Sequence, residues 1–97
     1  MPELLTDEDT GKALGRLQNW HLADGSFERT VELASFPQAV QVVNRVAEIA
    51  ENSNHHPDID IRWRTLTFRC TTHSAGGVTR NDVTLAEEID GVIDAVA

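Results

Sequence analysis

The chain has only four histidines, and three of them, His55, His56 and His73, stand close together. Imidazole changes its charge near neutral pH, at about 6.5 when unperturbed, so a group of imidazoles can both accept and deliver protons under cellular conditions. Carboxylates flank them. Glu51 lies one helical turn before His55, Asp58 and Asp60 follow Pro57, and Asp82 stands beyond the Gly76-Gly77 pair. A carboxylate so placed orients a ring or stabilises its charged form. These groups are equipment for general acid/base chemistry: an elimination, isomerisation or hydration without a covalent nucleophile.

Two other readings compete for the same residues. A histidine at a helix C-terminus is favoured by ~0.3–1 kcal/mol through the helix dipole, whatever its chemistry. Three histidines and a carboxylate can also hold zinc. Adjacent histidines suit one tetrahedral ion less well than an i, i+4 pair, so the expectation is acid/base chemistry with no metal. The single cysteine, Cys70, is too few for a cysteine-based zinc site or an intrachain disulfide, and its alternation with Leu66 and Phe68 reads as a small buried hydrophobe. Trp20 and Trp63 read as core or subunit-contact residues, and Gly76-Gly77 as a turn, because it lacks the flanking pattern of a dinucleotide or phosphate loop.

For His73 to meet His55 and His56, the chain between them must fold back, and the hydrophobic pattern says that it does. Ile59, Ile61 and Trp63 alternate on odd numbers, whereas Leu66, Phe68, Cys70 and Thr72 alternate on even numbers. A single straight strand would flip its core face midway. Two strands, 59–63 and 66–72, joined around Arg64-Thr65 explain both halves. Upstream, Thr6 ahead of Asp7, Glu8 and Asp9 is an N-cap with acids in the first turn, and the helix it opens runs to about Gln18 with Ala13, Leu14 and Leu17 inward. A strand from Trp20 turns at Asp24-Gly25 and returns over Ser26–Leu33, with Phe27, Val31 and Leu33 on one face beside Arg29. Ser35-Phe36-Pro37 opens a long helix ending near Asn52 to Asn54, with Phe36, Val40, Val43, Ala47 and Ala50 inward and Val46 and Ile49 widening the stripe. Thr79-Arg80-Asn81-Asp82 has the shape of a capping box with Asp in place of Glu, ahead of a last helix reaching about Val96. The expected fold is α+β: a two-layer α-β-β-α-β-β-α domain whose four-stranded antiparallel sheet has helices on one face. The opposite sheet face or an exposed edge strand would then need covering, which implies self-association.

The composition bounds the partners. The 97 residues make one domain, spanning 1–97, and carry eight Lys+Arg against sixteen Asp+Glu, a net charge of −8. That balance excludes nucleic-acid binding through phosphate neutralisation and docking on an anionic membrane. No stretch approaches the ~20 apolar residues of a membrane span, and the acidic N-terminus is unlike a signal peptide, so the expected location is cytoplasmic.

The motifs themselves resemble a known family. Glu51-Asn52-Ser53-Asn54-His55-His56-Pro57-Asp58 fits E-x-x-x-H-H-P-[DE], and the stretch from Thr72-His73-Ser74 through Gly76-Gly77 to Asp82 fits T-H-x-x-G-G-[LV]-[ST]-x-x-D. Both are similar to the pterin-4a-carbinolamine dehydratases, and weaker similarity covers nearly the whole domain. The resemblance implies the same α-β-β-α-β-β-α fold, and an enzyme that removes water from 4a-hydroxytetrahydropterin, giving quinonoid dihydropterin without cofactor or metal. It implies His55 and His73 as acid/base residues beside C4a, with His56 holding the pterin or sharing the proton work. Glu51 and Asp82 would orient the imidazoles, while Pro57, Asp58, Thr72 and Ser74 would bind or orient substrate. It further implies a homodimer or homotetramer and a functional link to an aromatic amino-acid hydroxylase. A non-catalytic scaffold or interaction role on the same fold is the alternative, and the three intact histidines argue against it. The chain departs from the pattern at Ile59, where many relatives carry an aromatic residue, and at Ser74, where some carry an acid. Neither change removes a proton-transfer group.

Overall fold

Thr6 starts the first helix by accepting the Asp9 N–H on its side chain at 3.0 Å, and α1 (Asp7–Arg16) follows with three acids at its positive end. In the computed structural model, which describes residues 3–96, α1 stops two residues earlier than its sequence pattern suggests. Trp20, expected in the first strand, lies just outside it and is buried. The hairpin β1 (His21–Ala23) and β2 (Ser26–Glu32) turns through Asp24 and Gly25, both left-handed (φ 52° and 77°), as a two-residue hairpin loop demands.

The second hairpin, β3 (Asp58–Arg62) and β4 (Thr65–Cys70), resolves the change of parity. Ile59 pairs with Phe68 and Ile61 with Leu66, which puts odd positions of β3 and even positions of β4 on one face. Its turn falls at Trp63-Arg64, one residue earlier than expected, with Trp63 left-handed at φ 55°. All pairings are antiparallel and the strand order is β1-β2-β4-β3. The two hairpins are joined through their second strands, so β1 and β3 are the edges.

One sheet face is the core. Phe27, Leu66, Phe68 and Cys70 are fully buried there, beneath α2 (Phe36–Ser53) and α3 (Arg80–Val96). Truncating a fully buried phenylalanine such as Phe68 to alanine costs about 3–5 kcal/mol. The opposite face is polar. His21, Glu28, Arg69 and Asp58 form one row across all four strands, and Glu28 bonds both His21 (3.0 Å) and Arg69 (2.6 Å). Large apolar side chains are exposed elsewhere: Ile61 in the edge strand β3, Trp63 just beyond it, Leu22 in the edge strand β1 and Phe36 at the start of α2.

The α2 stripe is rotated from the expected one. Ala39, Val42, Val46 and Ala50 are buried, whereas Phe36 and Ala47 are exposed and Val40 and Val43 half-buried. Apolar residues surround much of α2, so several phases of the helix would bury an apolar stripe, and packing against the sheet and α3 selects this one. Asn54 ends α2 in the left-handed conformation (φ 50°), its N–H turned back to Ala50 and Glu51. The segment after β4, expected as a loop, holds one 3₁₀ turn, His73–Ala75, closed by left-handed Gly76. Ahead of α3 the chain is strapped by its N-terminal segment. Leu5 N–H donates to Val78 O at 3.0 Å, Leu4 pairs with Thr79, and a Cβ on Gly77 would meet Leu4 Cδ2 at 2.9 Å.

Candidate active site

The site is built where the C-terminal end of α2 meets the N-terminal end of α3. The left-handed Asn54 turns the chain out of the helix, and His55 swings toward α3 rather than continuing along α2. Its Nε2 lies 2.6 Å from Oδ1 of Asp82, which is fully buried, while the His55 side chain keeps 16% of its surface. Asp82 sits in the first turn of α3, where the helix dipole favours a negative charge.

The other oxygen of Asp82 is saturated by its own neighbourhood. Thr79 N–H donates to Oδ2 at 2.8 Å, closing the capping box, and the buried Thr72 hydroxyl donates to it at 2.7 Å. Thr72 and Thr79 hydroxyls are 2.8 Å apart. A buried carboxylate with this many donors is a fixed anionic acceptor rather than a mobile one.

His56 goes the other way. Its Nε2 bonds Glu51 Oε1 at 2.7 Å on the open surface, with the side chains 53% and 80% exposed. Spacing along a helix points Glu51 at His55. Because α2 has already ended at Asn54, the acid meets His56 instead, and His55 takes its carboxylate from 27 positions away. His73 and Ser74 are exposed on the 3₁₀ turn, one and two residues past the buried Thr72. Pro57 is half-buried, and Asp58 is exposed at the start of β3, across from Arg69 on the polar sheet face.

A groove of about 120 Å³ opens beside His55 and is lined by Ser53, Asn81, Thr84, Leu85 and Glu88 as well. Of the three clustered imidazoles only His55 lines it. Sequence reasoning had no signal for Thr84 or Glu88 and placed Asn81 only in the capping motif ahead of α3. Among the described residues no three His, Cys, Asp or Glu side chains are placed to hold a metal ion. Cys70 lies beneath the site as an inert thiol: burial pushes its pKa up, and the nearby Asp82, Asp58 and Asp90 carboxylates add to the effect.

Residues 3–92 match the family model described as pterin 4 alpha carbinolamine dehydratase. The chain belongs to that family. It is 51% identical over 90 residues to a protein of Mycobacterium avium provisionally named as this dehydratase, covering 93% of this chain and 96% of that one. A Nocardia farcinica protein, named in the same provisional way, is 54% identical over 88 residues, or 91% and 93% of the two chains. Among solved structures, a transcriptional coactivator/pterin dehydratase from Brucella melitensis superposes with a TM-score of 0.89 at 26% identity, covering 92% of this chain and 97% of that one. The α-β-β-α-β-β-α architecture is therefore the fold of the pterin dehydratase family. No helix among the described residues is long and apolar enough to cross a membrane.

Proposed function

We propose that this chain is a hydro-lyase that converts 4a-hydroxytetrahydropterin to quinonoid dihydropterin and water. The observation that carries the reading is the buried Asp82 held 2.6 Å from His55, whose ring still reaches the surface, inside the motifs of a dehydratase family. The reaction removes the proton from N5 and releases the C4a hydroxyl with a proton as water, so atoms and charge balance without a redox partner. It needs one proton acceptor and one proton donor, each positioned. His55 and His73 are assigned these roles, and His56, tethered by Glu51, holds the pterin or shares the proton work. Asp82 orients His55. Thr72 acts through Asp82, while Pro57, Asp58 and Ser74 bind or orient the substrate.

The physiological task in this reading is recycling the pterin of an aromatic amino-acid hydroxylase in the cytoplasm. The chain works as a homodimer or homotetramer, and the edge strand β3, with Ile61 and Trp63 exposed, is the first candidate for the contact. The test follows the decay of 4a-hydroxytetrahydropterin generated in situ by a hydroxylase. Wild type should accelerate it, and His55→Ala or His73→Ala should lose about 10²–10⁴-fold. A wild-type rate no faster than the spontaneous decay overturns the assignment and turns the search to protein partners. Dialysis against a chelator should leave the rate unchanged.

A further inference from the structure

We infer that Asp82, its Oδ2 saturated by donors from Thr79 and Thr72, is the positioning residue that fixes the tautomer of His55, leaving Nδ1 as the nitrogen that exchanges a proton with substrate. The inference rests on the dehydratase reading only for what Nδ1 does, not for the tautomer. It follows from counting protons around one buried carboxylate. Thr72 has a single hydroxyl proton and gives it to Asp82 Oδ2. The Thr79 hydroxyl, 2.8 Å from the Thr72 oxygen against 3.5 Å from Asp82 Oδ2, donates mainly to Thr72, while its own oxygen accepts Asn81 N–H at 3.3 Å. A directed chain results: Asn81 N–H to Thr79, Thr79 to Thr72, Thr72 to Asp82. With Thr79 N–H also on Oδ2, every group facing that side of the carboxylate is a donor.

Donors on Oδ2 oppose a proton there, and Oδ1 is left as an acceptor facing His55 Nε2 at 2.6 Å. Neutral His55 must then carry its proton on Nε2, so its lone pair is on Nδ1. A local helix-capping motif thus doubles as an imidazole anchor: one oxygen of the capping acid closes the helix and the other orients the ring. Aspartate, shorter than the usual glutamate, keeps both oxygens at these partners.

The decisive variant is Asp82→Asn. The threonine side offers only donors, so the amide oxygen must occupy the Oδ2 position and the NH₂ must face His55. Nε2 then has to accept, and His55 switches to the Nδ1–H tautomer. Two-bond ¹H–¹⁵N spectra of histidine-labelled protein, recorded with His55 neutral, read the tautomer directly. Wild type, Thr79→Ser, Thr79→Val and Thr72→Val, which all keep the carboxylate as an acceptor, should show Nε2–H, and Asp82→Asn should show Nδ1–H. The dehydration rate should fall with the tautomer, by about 10²-fold or more in Asp82→Asn. A wild-type His55 protonated on Nδ1, or an Asp82→Asn spectrum like wild type, overturns the inference. So does a Thr79→Val or Thr72→Val spectrum that shows Nδ1–H. If Thr79→Val does not fold, the Thr72→Val and Asp82→Asn spectra decide. If wild type does not turn over the pterin, the dehydratase reading falls while the spectra still judge the tautomer.

Discussion

Trp20 and Asp90, 70 positions apart, are joined by a hydrogen bond of 2.8 Å from the indole Nε1–H to Oδ1, and the guanidinium of Arg29 reaches the same oxygen. Arg29 is on the core face of β2 and only 10% of its side chain is exposed. This cluster therefore ties α3 to the sheet through a nearly buried cation. Removing its anion leaves that cation uncompensated, so Asp90→Ala should cost about 3 kcal/mol in urea denaturation. Asp90→Asn, which can still accept from both partners, should cost less.

The two carboxylate–imidazole pairs should behave as opposites. Glu51 and His56 meet in solvent, and Glu51→Gln should change stability by under about 0.5 kcal/mol. Asp82→Ala orphans Thr79 N–H, the Thr72 hydroxyl and His55 in the interior, and should cost about 3 kcal/mol. Equal losses by thermal or chemical denaturation would contradict the burial difference.

Cys70 predicts an alkaline limb of the stability curve. Its thiol is raised in the folded state, so the unfolded chain loses that proton first, once the pH passes the ordinary value of 9.0. Below that pH the stabilisation is fully present. Above it, stability should fall by up to about 1.4 kcal/mol per pH unit. The chain has no tyrosine to obscure the effect. The slope should be absent in Cys70→Ala, and a thiol reagent should label the native wild type no faster than it opens.

Trp63 holds a left-handed backbone at φ 55° with 70% of its surface exposed. Its ring is stacked under Arg64 at 4.7 Å. A bulky residue at positive φ costs about 1–3 kcal/mol, whereas an exposed cation–π contact returns about 0.5–1. Trp63→Asn should therefore make the isolated protomer more stable. It should also weaken any association through the β3 edge, which analytical ultracentrifugation over a concentration series would register.

The sequence made the hairpins legible because side-chain parity is a property of neighbouring residues, and Ile59 against Phe68 obeys it in the fold. Helix caps at Thr6 and Ser35 were legible for the same reason. The phase of α2 was not, because Phe36, Val40 and Val43 are as apolar as Ala39 and Val42, and only the packed neighbours choose between them. The carboxylates Glu51 and Asp82 could be named beside the imidazoles, but not which ring each one meets. Helical spacing assigns Glu51 to His55, and a single left-handed residue, Asn54, reassigns it to His56. Asp82 was visible as a capping acid, and its second oxygen could be given a partner only once α2 and α3 were set side by side.

The strap of Leu4 and Leu5 across Val78 and Thr79 bears on how the protein is made. A ribosome produces the strap well before its docking site. The central β2–β4 pairing is similarly delayed until the second hairpin has emerged. The strap must therefore stay undocked through most of synthesis, and it seats only when Gly77, Val78 and Thr79 are available. The His55–Asp82 contact should accordingly be among the last features to form on a nascent chain.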